Sequence, residues 1–385
     1  MRILIAHNAY QQRGGEDSVV EDEIALLRRH GHAVEVFQRH NDELEVMTQW
    51  KAAMDTVWSR KSAADLTAVI DRFRPDIVHF HNTFPLISPS AYWAVQTAGL
   101  PVVQTLHNFR LFCPQAMFLR GGHVCEDCLG HQPWRSVLHA CYRDSRAQSA
   151  VLSGMLAWHR ALGTYRDKVT RYIALNEFCR RKFVEGGLPA ERVVVKPNFV
   201  DFAGAQPSPR AGLLFVGRLS PEKGLRTLRE AMALLPEVQL RVAGDGPEAA
   251  VLDGIAGVTK LGRLIVDDVR QEMSAATALV VPSISYETFG LVVIEAFACG
   301  TPVIASRIGA LAGLVEDGVT GLLFEPGNAA DLAAKMSWAL EHPAELSQMG
   351  RNARLEYERS YTAERNYELL MNIYEDAIDA RRAGS

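Results

Sequence analysis

The chain lacks what would anchor it in a bilayer or leave it unfolded. No apolar run in its 385 residues approaches the ~20 needed to span a membrane, so no transmembrane helix is expected. The amino terminus, MRILIAH, is a strand followed by polar residues, not a secretory signal. A cytoplasmic protein is expected, with peripheral attachment to the cytoplasmic face of a membrane as a secondary expectation. There is no low-complexity segment and no short-period repeat, which argues against a repeat array. Hydrophobic residues at 48% and charged residues at 22% belong to a globular chain, not a disordered one. Cysteine is scarce, six in all.

The net charge of −4 hides an asymmetry. Residues 1–200 hold 24 Lys/Arg against 20 Asp/Glu, and residues 201–385 hold 17 against 25. Residues 140–200 alone carry 11 basic and 5 acidic side chains. Such a basic half suits an anionic membrane surface or a lipid-phosphate acceptor, and equally an ordinary solvated helix face. No nucleic-acid partner is expected.

Strands alternate with longer helical segments throughout. Strands are predicted over 2–6, 33–37, 76–80, 101–105, 171–175 and 192–196, and again over 212–216, 238–243, 257–261, 278–282, 302–305 and 321–324. Two such sets imply two doubly wound parallel-sheet domains of the Rossmann type, about 1–200 and 201–360. The boundary falls in the turn-rich stretch 197–212. Ligands on such sheets bind beyond the carboxyl ends of the strands.

The most informative of those ends is ETFGLVVIE, residues 287–295. Gly290 and Leu291 fall where a helix opens after an apolar strand, presenting free N–H groups and the positive end of the dipole to a phosphate. Glu295 lies one turn on along the same face and Glu287 on the preceding loop. An anion seat between two hydroxyl-accepting carboxylates suits a nucleotide sugar. An ordinary strand-to-helix turn with surface acids would read the same in isolation. Its neighbours change that. VGRLSPEKG, residues 216–224, brings Gly217, Arg218 and Lys223 to another strand end, and the two cations together can neutralise a diphosphate. AGDGP at 243–247 contributes Gly244, and LGR at 261–263 contributes Gly262 and Arg263.

The series GRLxxxKG, AGDGP, LGR and ExFGLxxxE resembles the retaining glycosyltransferases of family 4, densely from 212 to 323 and thinly elsewhere. The resemblance implies the GT-B fold, two Rossmann-like domains facing a central cleft, the first on the acceptor side and the second binding the nucleotide sugar. It implies that a last helix, about 361–385, returns to the first domain. Arg218, Lys223 and the Gly290–Leu291 amides would then stabilise charge growing on the diphosphate. Glu287 would hold donor-sugar hydroxyls and Glu295 the ribose, with Gly217, Gly244, Gly262, Arg263 and Phe289 around the donor. Two cations on the diphosphate make a catalytic divalent metal unnecessary.

In the first half, Gly15 of an RGGE turn opens a helix and can approach a phosphate or sugar closely, although such glycines often serve packing alone. The resemblance sets it across the cleft from the donor. His107 ends a predicted strand, and the family has a histidine at the matching position, near the donor sugar. His79 and His81 end the previous strand and read first as structural. Ser145 to Tyr165 is amphipathic, a cover for the first domain's core or a membrane-interface helix. Four cysteines, Cys113, Cys125, Cys128 and Cys141, have the spacing of a structural zinc site inside an insertion at about 110–141, whose loop has few apolar residues to order it. Free thiols and, less readily in a cytoplasmic chain, disulfides are the alternatives.

The expected activity is transfer of a sugar from a nucleoside diphosphate sugar to an acceptor hydroxyl on a sugar or lipid-linked sugar, in surface polysaccharide, glycolipid or lipid-linked oligosaccharide synthesis. Two rivals are a nucleotide-sugar epimerase, which lacks the Glu287/Glu295 pair beside an Arg/Lys loop, and a non-catalytic carbohydrate- or partner-binding protein organised around the cysteines.

Overall fold

A computed structural model describes residues 1–201 and 209–383. The predicted boundary at 197–212 lies partly outside the described residues. The chain divides into two units, one of Met1–Phe118, Glu126–Pro197 and Asn366–Ser385, the other of Leu119–Cys125 and Asn198–Arg365.

The first unit is built on a six-stranded parallel sheet of β1 (Arg2–Ala9), β2 (Ala33–His40), β3 (Ile77–Phe80), β4 (Val102–Leu106), β7 (Arg171–Ala174) and β8 (Val193–Val195). Their order is β2-β1-β3-β4-β7-β8, with Ile3 opposite Ile77 and Val78 opposite Val102. The inner strands are apolar on both faces because helices cover both sides. Ile3, Ile5, Ile77 and Val103 are wholly buried against Val20 and Leu27 of helix Gly15–Arg29 and against Leu370 and Tyr374 of helix Ala363–Ala383. That first helix carries Glu16 and Asp17 in its first turn and Arg28 and Arg29 in its last, matching its dipole. Strand order reverses between β1 and β3, which makes their carboxyl ends the natural ligand crevice of this sheet.

Segment 110–141 has more apolar anchorage than its sequence suggested. Phe109 packs on Phe118 and Phe183 at ring separations of 4.9 and 5.4 Å, and the Arg160 guanidinium lies 5.1 Å from the Phe112 ring while donating to the Leu111 and His131 carbonyls. A two-residue antiparallel ribbon, β5 (Leu119–Arg120) and β6 (His123–Val124), was not anticipated. Helix Arg146–Ala161 covers this unit's core, burying Leu152, Met155 and Leu156 and leaving Trp158 exposed.

The second unit repeats the plan with β9 (Leu213–Val216), β10 (Leu240–Ala243), β11 (Val258–Gly262), β12 (Ala278–Val281), β13 (Val303–Ser306) and β14 (Gly321–Phe324). All are parallel, in the order β11-β10-β9-β12-β13-β14, and the reversal falls between β9 and β12. Leu213, Leu240, Val242, Ala278 and Ile304 are wholly buried beneath Leu225, Leu228 and Met336. No described helix is long and apolar enough to cross a membrane.

Candidate active site

In the second unit the loops after β9, β10, β11 and β12 are laced by backbone hydrogen bonds. Gly217 N–H donates to the Ala243 carbonyl (3.0 Å), Gly244 to Gly262 (2.8 Å), Leu219 to Asp245 (2.9 Å) and Ile284 to Glu222 (2.9 Å). Such proximity requires glycine at 244, where φ is +143° and a Cβ would stand 1.9 Å from the Gly217 carbonyl oxygen. These glycines bring the motif loops into one continuous rim.

On that rim Lys223 Nζ lies 2.6 Å from Glu287 Oε1, and the Ser283 hydroxyl donates to the same oxygen at 2.8 Å. The two charged side chains are 29% and 18% exposed. Burial pushes the Glu287 carboxyl up, but the Lys223 ammonium and the Ser283 hydroxyl more than offset it and hold it below its usual range. Burial likewise lowers Lys223, and Glu287 outweighs that and raises it. Lys223 closes a 3-10 turn, Pro221–Lys223, and Glu287 follows β12, so the switch-point strands deliver the pair. Arg218 is exposed on the same loop as Lys223.

Helix Leu291–Ala298 begins at Gly290, whose φ of +90° turns the chain into the helix without the strain a side chain would bring. Its first four N–H groups have no i−4 carbonyl within the helix, and that of Val293 donates to the Gly290 carbonyl at 2.9 Å. Glu295 is half-buried on this helix. Phe289 is 4% exposed and meets Tyr361 edge-on at 6.1 Å, so it anchors the loop by packing. Arg263 is exposed after β11. The expected donor residues therefore sit beyond the carboxyl ends of one sheet's strands, on the loops there and on helix Leu291–Ala298.

Gly15 and His107 belong to the first unit. Gly15 opens its helix as expected, beside Glu16, which accepts from the Tyr10 hydroxyl at 2.9 Å. Burial raises Glu16 to about 7 despite His7 and Tyr10. His107 directly follows β4 and comes together with His81, which directly follows β3: His107 Nε2 lies 2.9 Å from His81 Nδ1. Both line a cavity of about 50 Å³ with Asn82, Phe84, Asn108 and Arg110. His79 is wholly buried, with Nε2 2.8 Å from Thr105 Oγ1 and Nδ1 2.8 Å from the Tyr374 hydroxyl. Burial lowers the imidazoles of both His81, to about 3, and His107.

Sequence reasoning missed what lies beneath them. Glu23 and Lys196, both buried, form an ion pair at 3.1 Å. A signal existed: Glu23 shares the helix face of Val19, Val20, Leu26 and Leu27, where a charge needs a partner.

Of the expected zinc ligands, Cys113 and Cys128 are buried and Cys125 and Cys141 half-buried. None of the six cysteines is in a disulfide. Among the described residues, the group of three His, Cys, Asp or Glu side chains with ligand atoms within 4.8 Å of one another is Glu23, His79 and His81. The Cys113 thiol is buried, and burial pushes its pKa up.

Residues 13–203 match the family described as Glycosyltransferase Family 4, and residues 200–356 match Glycosyl transferases group 1. The chain is 33% identical over 172 residues to an uncharacterized glycosyltransferase of Methanocaldococcus jannaschii, covering 43% of this chain and 48% of that protein. It thus spans about half the length of that relative. It is 30% identical over 329 residues to the glycogen synthase of Mycobacterium tuberculosis, covering 80% of this chain and 70% of that one. Its fold is like that of Anabaena HepE in complex with UDP, with a TM-score of 0.67 and 20% identity over 97% of this chain and 100% of the other. Two adjoining family matches, a relative covered over most of its length and the twin parallel sheets lead to one conclusion: the chain belongs to the family 4 glycosyltransferases of GT-B fold.

Proposed function

We propose that the protein transfers a glycosyl group from a nucleoside diphosphate sugar to an acceptor hydroxyl, with retention at the anomeric carbon. The observation that carries this reading is the Lys223–Glu287 pair on the rim at the β9/β12 switch point, beside exposed Arg218 and the start of helix Leu291–Ala298. A diphosphate arriving there draws on Lys223, Arg218 and the helix amides, and releases Glu287 to accept from sugar hydroxyls. The bond from the anomeric carbon to the diphosphate oxygen breaks while the acceptor oxygen bonds to that carbon from the same face. The acceptor proton passes to the departing phosphate. No side-chain nucleophile is invoked, and the two cations carry the leaving-group charge without a divalent metal.

HepE, which shares the fold, has been crystallised with UDP, so UDP is the first nucleotide to try. Calorimetry with a panel of nucleoside diphosphates, then donor turnover with and without a sugar or lipid-linked sugar acceptor, tests the reading. Absence of nucleotide binding, or binding undiminished in Lys223→Ala, overturns it. An acceptor at the cytoplasmic face of a membrane accords with exposed Trp50, Trp134 and Trp158 in the first unit, and is tested by sedimentation with anionic vesicles.

A structural zinc at Cys113, Cys125, Cys128 and Cys141 is a separate proposal resting on their spacing. It requires the segment to close around the ion. One zinc per chain in protein purified without chelator supports it; metal-free protein with titratable thiols removes it.

A further inference from the structure

Two arginines of the first unit converge on one tyrosine with no acid to answer them. Arg110 lies on the loop after β4 and Phe84 on the loop after β3, beyond the carboxyl ends of the sheet. The Arg110 guanidinium stands 4.3 Å from the centre of the Phe84 ring and 5.6 Å from that of Tyr142. Those two rings meet at 89° with their centres 5.9 Å apart. Arg143 approaches the same Tyr142 ring, at 5.4 Å. Among the described residues, Arg110 makes one guanidinium hydrogen bond, from Nη1 to the Pro114 carbonyl at 3.2 Å, and neither arginine is in an ion pair. Arg39 of the same unit shows the usual arrangement, its Nε and Nη2 each donating to a Glu43 oxygen at 2.7 Å. Arg110 and Phe84 line the small cavity shared with Asn82 and Asn108. The Arg110 charge is felt by Tyr10 and Glu16, which follow β1, so it faces the β1/β3 crevice.

We propose that Arg110 and Arg143 bind a phosphate group of the acceptor, so that the hydroxyl substrate is a sugar carrying a phosphate or diphosphate ester. A ring face attracts a guanidinium and holds it in place, but it leaves most of the five N–H donors without an oxygen. The edge of the Arg110 fork is thus fixed in direction and open to an acceptor, which lowers the freedom lost on binding. Two like charges drawn to one ring repel each other, and an oxyanion between them removes that cost. A phosphate suits the pair better than a carboxylate does. It brings up to two negative charges and three terminal oxygens, which match the planar fork in bidentate fashion.

Naming this ligand the acceptor rests on the glycosyl-transfer reading; the anion site itself does not. With its phosphate on the arginines, the acceptor sugar lies at the carboxyl ends of β3 and β4, and a neutral sugar without that anchor is a poor acceptor. Arg110 and Arg143 bind and position, and take no part in making or breaking the glycosidic bond.

Calorimetry of the whole protein with inorganic pyrophosphate tests the site without turnover. Pyrophosphate can also occupy the proposed donor seat, so it is titrated into wild type, Lys223→Ala, Arg110→Gln and Arg143→Gln. Two binding events are expected in wild type, one weakened in Lys223→Ala and the other in each arginine variant by on the order of 10-fold or more, the range for a hydrogen bond between charged groups. Arg143 is exposed, so Arg143→Gln reads the site even where Arg110→Gln fails to fold. No effect in Lys223→Ala removes the donor reading and leaves the arginine site standing. Titrations identical in wild type and Arg143→Gln overturn the proposal. Glucose-1-phosphate, glucuronate and glucose then serve as probes, and the phosphate ester should bind ~10-fold or more tightly than the other two, an advantage lost in Arg143→Gln. Glucuronate bound as tightly as the ester overturns the choice of phosphate. The same ester free in solution, and glucose on a long-chain alkyl diphosphate in phosphatidylcholine vesicles, separate a free sugar phosphate from a lipid-borne one. Arginine-dependent binding of either supports the proposal.

Discussion

Lys223 and Glu287 stand 64 positions apart in the chain and 2.6 Å apart in the fold. The pair matters because each member has a separate task in the proposed reaction, the lysine on the diphosphate and the glutamate on the sugar. In the free protein each neutralises the other, which lets two charges sit in a largely enclosed rim. Donor binding then exchanges one counter-ion for another.

Lys223→Ala and Arg218→Ala should each remove roughly 2–4 kcal/mol of transition-state stabilisation, a ~30- to 10³-fold loss in kcat, as for the loss of one oxyanion donor. Lys223→Ala should also lower the melting temperature, since it strands Glu287, whereas exposed Arg218 should leave it nearly unchanged. Steady-state kinetics and thermal unfolding of both variants check this, and equal melting losses would contradict it.

Glu287→Ala should lose turnover more than nucleotide affinity, and Glu295→Ala should weaken the nucleotide itself. Calorimetry with the free nucleoside diphosphate separates the two, and the reverse order would exchange their roles. Glu287 also sets a pH signature. Its folded pKa lies below the unfolded value of about 4.5, so its contribution is present above that value and lost as pH falls through the folded one. The urea midpoint of wild-type protein should exceed that of Glu287→Gln at pH ~7, with the gap closing below about pH 4.5.

Glu16 predicts the opposite slope. Its folded pKa of about 7 lies above the ordinary 4.5, so the folded protein holds a proton the unfolded chain has lost. Stability from this group therefore declines as pH rises between those values. Glu16→Gln should be close to neutral at pH ~5 and more stable than wild type above pH ~7, read by thermal unfolding at the two pH values. A variant less stable at both would place the ionised carboxylate in a supporting role.

All twelve predicted strands are present within a few residues of their expected ends, because a strand covered on both faces writes itself as a short apolar run, as in Leu279, Val280 and Val281. The β5–β6 ribbon was illegible, since two residues on each side of Gly121 and Gly122 leave no period to read. Lys223 and Glu287 were each legible from their motifs, but their pairing was not. Glu23 and Lys196 are 173 positions apart, and no local pattern joins them.

The rim itself is open to a backbone test at Gly244. The position has φ of +143°, and an added Cβ would meet the Gly217 carbonyl oxygen at 1.9 Å, a backbone atom with no side-chain freedom to move aside. Relief requires the loops after β9 and β10 to part, breaking the Gly217–Ala243 and Gly244–Gly262 hydrogen bonds that hold them together. Gly244→Ala should therefore cost about 1–3 kcal/mol of stability, the range for strain at a special backbone position. Gly254 serves as the control. It also has positive φ, +70°, but nothing lies within 4 Å of its added Cβ. Gly254→Ala should lose only the cost of its own left-handed conformation and leave nucleotide binding intact, whereas Gly244→Ala should weaken that binding by displacing Arg218 and Lys223. Equal nucleotide affinity in the two variants would show that the loops' close contact is not what positions the cations.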